Sequence, residues 1–227
     1  MSAALTARER ARRELTAEIL GAARHQLTDV GAAALSVRAV ARELGLASSA
    51  VYRYFATRDA LLTALIVEAY DGLGAAVETA STDDGRSTRE RFTAGCTAMR
   101  SWAVAHPHEY ALVHGSPVPG YRGDARTTAA GSRAPLALLA VLADAAPGPA
   151  SALPAVLAEQ AARVTAAAAG GPAQRASPEV VVAGARAWTA LLGLVSAELF
   201  GQLANTFDPA DAFAAAAVEA LADDLGL

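Results

Sequence analysis

The chain has 227 residues, 53% of them hydrophobic and 19% charged, which excludes a disordered polymer and provides cores for one large or two small domains. Its formal net charge of −4 excludes a protein that is basic throughout, yet the charge is uneven. Residues 1–58 hold nine Arg against five Asp and Glu, whereas residues 59–227 hold ten Arg against eighteen acidic residues, so an anionic partner is expected for the head alone.

All basic residues of the head are Arg, a side chain suited to bidentate contacts with phosphate and guanine. The single Cys96 leaves no intramolecular disulfide or cysteine-based zinc site, and fits a reducing cytoplasm. The first twenty residues interleave Arg and Glu without an apolar core, so no signal peptide is expected. The most apolar run, 134–146, is broken by Asp144 and is short for a bilayer. A cytoplasmic protein without a membrane partner is the expectation.

Apolar residues recur at helical spacing along nearly the whole chain, and no segment alternates with period two, so the fold class is all-α. Leu15, Ile19, Ala23 and Leu27 predict a first helix near 12–28, preceded by an Arg-rich arm. Val37, Val40, Ala41 and Leu44 predict a short second helix. A long stripe from Leu61 to Val77 follows the segment SSAVYRYF (48–55). Turn-rich breaks at 81–88, 115–124, 146–151 and 170–178 separate helices expected near 89–105, 107–114, 125–145, 152–169, 178–204 and 209–225. Ser177-Pro178 and Asp208-Pro209 each place a capping oxygen before a proline at a helix start.

Residues 36–55 read as helix, tight turn, helix. Ser36 is a suitable N-cap, Gly45 supplies the positive φ of the turn, and Val51 and Phe55 carry the inward face. This is a helix-turn-helix, whose second helix lies in a DNA major groove. Ser48, Ser49 and Ala50 are small enough to press against base edges, and Tyr52, Arg53, Tyr54 and Arg58 can reach phosphates. Arg38 is placed for a bidentate contact to guanine.

Over residues 12–66 the pattern SVRAVARELGLASSAVYRYFATRDALLTALI resembles the TetR family of bacterial transcriptional repressors. The family's recognition-helix tyrosine falls on Tyr52, its phosphate-binding His or Tyr on Tyr54, and its usual Lys on Arg58. Ala47 stands where the family often has a capping Ser, so capping is expected to pass to Ser48. The resemblance implies a DNA-binding domain at 1–57 and a helical effector-binding and dimerisation domain at 58–227.

Within the second part, WAVAHPHEYALVHGSPVPGY (102–121) is similar to the Trp/His/Pro/Tyr-containing C-terminal domain of one TetR subgroup. Met99, Trp102, His106, Tyr110, His114, Tyr121 and Trp188 form the candidate effector pocket, with membership of the core as the other reading of Trp102, His106 and Tyr110. The stretch 180–207 is apolar almost all round, as a helix covered on two sides must be. Its Trp188, Leu191, Leu192, Val195 and Leu199, with Phe213, Ala217 and Leu221 of the last helix, make the candidate homodimer interface.

His106, His108 and His114 lack the convergent set a metal needs, no nucleophile–base pair stands out, and no cofactor motif is present. A homodimeric, ligand-responsive repressor of a pseudo-palindromic operator, not an enzyme, is the expected function. The alternative is a dimer that sequesters a small molecule and binds DNA without specificity.

Overall fold

A computed structural model of the chain describes residues 6–145, 153–168 and 170–227. Among them the chain forms ten α-helices: α1 (Ala7–Val30), α2 (Val37–Glu43), α3 (Ser48–Tyr52), α4 (Arg58–Ala80), α5 (Thr88–Ala105), α6 (Pro107–His114), α7 (Ala125–Ala143), α8 (Ala155–Ala167), α9 (Pro178–Leu199) and α10 (Asp211–Asp224). Two short 3₁₀ turns, Ala32–Ala34 and Pro172–Arg175, complete the elements, and no strand occurs among the described residues. The all-α expectation is met. The expected break at 146–151 lies outside the described residues.

Contacts divide the chain into two compact units, Met1–Ala69 with His108–Thr128, and Tyr70–Pro107 with Ala129–Leu227. In the first, Ile19, Ala23, Val40 and Val51 are fully covered, and Leu61, Leu62 and Leu65 of α4 are buried with them. Each such aliphatic side chain stabilises the fold by about 1.5–3 kcal/mol when fully buried. In the second, α8 packs on α9, and α5 packs on both α9 and α10. Phe92, Cys96, Met99, Leu191 and Val195 form its centre.

Small residues and arginines set the close contacts of the second unit. A Cβ at Gly74 would lie 2.8 Å from that of Arg133, so glycine lets α7 approach α4. Arg133 then bridges Asp71 (2.6 Å) and Glu78 (2.6 Å). Arg100 of α5 holds Glu198 of α9 (2.6 Å) and Asp211 of α10 (3.0 Å), and Arg89 reaches Glu219 (2.6 Å) and Asp223 (2.8 Å). The Arg100–Glu198 pair is the more consequential because both side chains are largely buried, so losing one partner strands the other charge.

Several expected boundaries move. The first helix starts at Ala7, because Thr6 and Glu9 form a reciprocal capping box, so Arg8, Arg10, Arg12 and Arg13 lie on helix rather than in an arm. Capping does not pass to Ser48: it is the first helical residue of α3, and Ala47 offers no side-chain cap. Asp208 caps nothing, since α10 begins at Asp211 after Ala210. That connection is closed by Phe207 and Phe213, stacked with ring centroids 4.1 Å apart. Ser177 caps α9 as expected, accepting from the Val180 amide.

Two helices, α4 and α9, are long and apolar enough to cross a membrane. Half of the apolar window in α4 is buried in the protein, as in a core helix, against 22% in α9.

Candidate nucleic-acid interface and apolar cavity

The helix-turn-helix is held from inside by short, specific contacts. Ser36 caps α2 through the Ala39 amide, and its own amide donates to the side-chain carbonyl of buried Gln26 on α1 (3.1 Å). Gly45 has φ of 66°, and the Leu46 amide donates back to the Ala41 carbonyl (2.8 Å), so α2 ends in a Schellman-type turn. Val51 and Phe55 are buried, which fixes the roll of α3 and decides which of its residues face out.

The outward face carries Arg38, Ser49, Tyr52 and Arg53, all exposed, with Ser48, Ala50 and Tyr54 half-buried. The Arg12 guanidinium lies 5.4 Å from the centre of the Tyr54 ring, a cation–π contact that brings the start of α1 to the end of α3. That pairing links residues 42 positions apart, and only the structure reveals it. These groups comprise cations, hydroxyls and small side chains, the residue types that contact phosphates and base edges in protein–DNA interfaces.

Arg58, expected at a phosphate, is engaged within the chain itself. Its Nε donates to the Leu35 carbonyl (3.0 Å), and Nη2 donates to those of Ala32 (2.8 Å) and Ala33 (3.1 Å), while Nη1 lies 3.5 Å from Asp59. The Ala32–Ala34 turn has no polar side chain of its own to satisfy these carbonyls, and Arg58 supplies the donors.

The expected pocket residues are dispersed. Tyr110, His114 and Tyr121 belong to the first unit, and Met99, Trp102, His106 and Trp188 to the second. Met99 and Tyr110 are fully buried core side chains. Tyr121 exchanges a hydrogen bond with Thr63 (3.0 Å), pinning its loop to α4. Trp102 packs on Gly72, where an added Cβ would sit 3.1 Å from the indole nitrogen. Exposed His106 stacks on Trp102 (5.1 Å between centroids) and donates from Nδ1 to its carbonyl. His114 stacks at a tilt on Tyr110, and burial pushes its imidazole pKa down to about 4.

The second unit instead contains a cavity of about 260 Å³ between α5, α7, α8 and α9. Phe92, Cys96, Leu139, Leu142, Val181 and Trp188 are among its walls, so of the expected pocket only Trp188 is shared. Burial pushes the Cys96 thiol up to about 12, which keeps it protonated at neutral pH.

Two expected interface residues also turn inward. Leu191 and Val195 are covered by the protomer itself, 1% and 0% exposed, because they continue the buried face through Val181 and Ala187. Trp188, Leu192, Leu199, Phe213, Ala217 and Leu221 remain partly exposed, and Ala185, Thr189, Ala190 and Gly193 lie on the open side of α9. Among the described residues no group of three His, Cys, Asp or Glu gathers as a metal site.

Comparison with known proteins bears on both units. The tetR family of bacterial regulatory proteins matches residues 19–65, and the tetracyclin repressor-like C-terminal domain matches residues 92–221. An HTH-type transcriptional regulator of Mycobacterium tuberculosis is 48% identical over 123 residues, 54% of this chain and 53% of the relative, and one of Mycobacterium bovis matches equally. The chain thus spans about half the length of the curated relatives it matches. The crystal structure of the regulatory protein SCO4313, so assigned provisionally, is 31% identical with a TM-score of 0.74, covering 97% of this chain and 98% of that one. The TetR family transcriptional regulator PfmR from Thermus thermophilus shares the fold alone, at 21% identity and a TM-score of 0.56, over 90% of this chain and 97% of that one. The chain belongs to the TetR family of bacterial transcriptional regulators.

Proposed function

We propose that the chain is a homodimeric repressor that binds a pseudo-palindromic operator and leaves it when a small apolar or aromatic effector enters the second unit. The observation that carries this reading is an apolar cavity, open at one side, in the same chain as a basic, outward-facing helix-turn-helix. The DNA-binding role falls to residues 1–57, with Arg38 at a base edge, Ser48, Ser49 and Ala50 against the groove floor, and Tyr52, Arg53 and Tyr54 at phosphates. The effector acts only through a higher affinity for the conformation that misfits DNA. A cytoplasmic, non-catalytic protein follows from this role.

The partly exposed apolar side of α9 and the neighbouring face of α10 support dimerisation, with Trp188, Leu192, Leu199, Phe213, Ala217 and Leu221 at the join. A helix this apolar and this little covered within one protomer gains most from a second copy.

In vitro transcription from the promoter upstream of the gene tests the sign of regulation. Repression predicts fewer transcripts as protein is added. More transcripts would make the protein an activator.

A further inference from the structure

We propose that the cavity between α5, α7, α8 and α9 binds small uncharged aromatic or alicyclic molecules and rejects carboxylates of the same shape. This rests on the regulatory reading above and specifies where its ligand sits and what chemistry it has.

Size sets the first limit. An engineered apolar cavity of roughly 150 Å³ admits benzene, and drug-sized ligands occupy about 300–1,000 Å³. At about 260 Å³ this cavity suits one substituted ring or a compact pair of rings. Its mouth lies by Val164 and Ala185, which line it and are exposed. Its width depends on Gly184, where an added Cβ would come within 3.3 Å of methyl groups of Leu139 and Leu142.

Polarity sets the second limit. Among the described residues, no Arg, His, Asp or Glu lines the cavity. The Ser132 hydroxyl already donates to the Ala129 carbonyl (2.9 Å), and the protonated Cys96 thiol brings no charge. An entering carboxylate therefore loses its water and meets no cation, a cost that an uncharged molecule of equal shape escapes.

The test uses the full chain at pH 7 with 4-tert-butylphenol, neutral at that pH, and 4-tert-butylbenzoate, its anionic counterpart. Calorimetry is expected to show saturable binding of the phenol and more than about tenfold weaker binding of the benzoate. Gly184→Leu and Ala187→Leu should each abolish phenol binding while preserving a cooperative thermal transition. If neither variant folds, Trp188→Phe supplies the evidence: the fluorescence change on binding should vanish while calorimetric binding persists. Equal affinity for both probes, no phenol binding, or binding untouched by either filling variant overturns the proposal. A fluorescence change that survives Trp188→Phe does the same. Phenol binding that leaves operator affinity unchanged upholds the site and refutes the regulatory reading, so the two failures are distinguishable.

Discussion

Arg58 donates from Nη2 to the carbonyl oxygen of Ala32 at 2.8 Å, tying the first turn of α4 to the turn that leads into α2. Two further bonds from the same guanidinium, to Ala33 and Leu35, make the tie rigid. Lysine, the family's usual residue here, has one nitrogen and cannot reproduce a contact made through separate Nε and Nη2 atoms.

Arg58→Ala is therefore expected to destabilise the protein by about 1–3 kcal/mol, from the loss of charge-assisted bonds, those to Leu35 and Ala32 being part-buried. Arg58→Lys should recover little of this. Operator affinity falls in both, but the slope of log affinity against log salt stays at the wild-type value, because no phosphate contact is removed. A slope reduced by about one in Arg58→Ala and restored in Arg58→Lys would return Arg58 to a phosphate.

Arg12 behaves in the opposite way. It sits over Tyr54 on the outward face and is otherwise exposed. Arg12→Ala should lower the salt slope by about one and cost only about 0.5–1 kcal/mol of stability, with Arg12→Lys restoring the slope. Salt titrations of operator binding for the two variants check this.

His114 makes stability depend on pH. Its pKa is lowered to about 4 in the folded state from an ordinary value near 6.5, so the unfolded chain takes up the proton first as pH falls. The contribution of burying neutral His114 is complete above about pH 6.5 and is lost as pH drops toward 4, amounting to roughly 3 kcal/mol. His114→Phe, which keeps a ring beside Tyr110, should flatten that part of the profile. Chemical denaturation at a series of pH values measures it, and an unchanged slope in the variant would remove His114 as its source.

Much of the head was legible in the sequence because local rules agree there. Gly45 supplies a positive φ, Ser36 caps, and the buried positions Val40, Val51 and Phe55 fall at helical spacing. The start of α1 was equally readable in the Thr6-x-x-Glu9 capping box, a signal outweighed by the apolar stripe that begins at Leu15. Arg58 and Arg12 were not readable in this way, since a cation serves a carbonyl, a ring or a phosphate alike, and only the neighbouring element decides. The cavity of the second unit was not readable for a related reason. Aromatic and histidine content draws attention to 102–121, yet Trp102 stacks with His106 and Tyr110 with His114, while the apolar cavity is walled mainly by aliphatic side chains, with leucine the commonest. On α9, apolarity all round gave no clue that Leu191 and Val195 point inward.

The open side of α9 gives a prediction for assembly. Ala190→Glu places a carboxylate at a position of α9 that is exposed in the protomer, whereas Val181, Ala187 and Leu191 are buried. Dimer association should weaken at least about a hundredfold, the effect of roughly 3 kcal/mol for an unpaired charge at an interface, without loss of helicity. Sedimentation velocity distinguishes the species. An Ala190→Glu dimer as tight as wild type would place the join elsewhere.

Footprinting the purified protein on the DNA upstream of its own gene, at physiological salt, tests the account most directly. Two protected half-sites related by a pseudo-two-fold axis, with protection relieved when 4-tert-butylphenol is added, are the predicted result. Uniform protection that fades with salt and ignores the phenol would contradict a ligand-responsive operator-binding regulator.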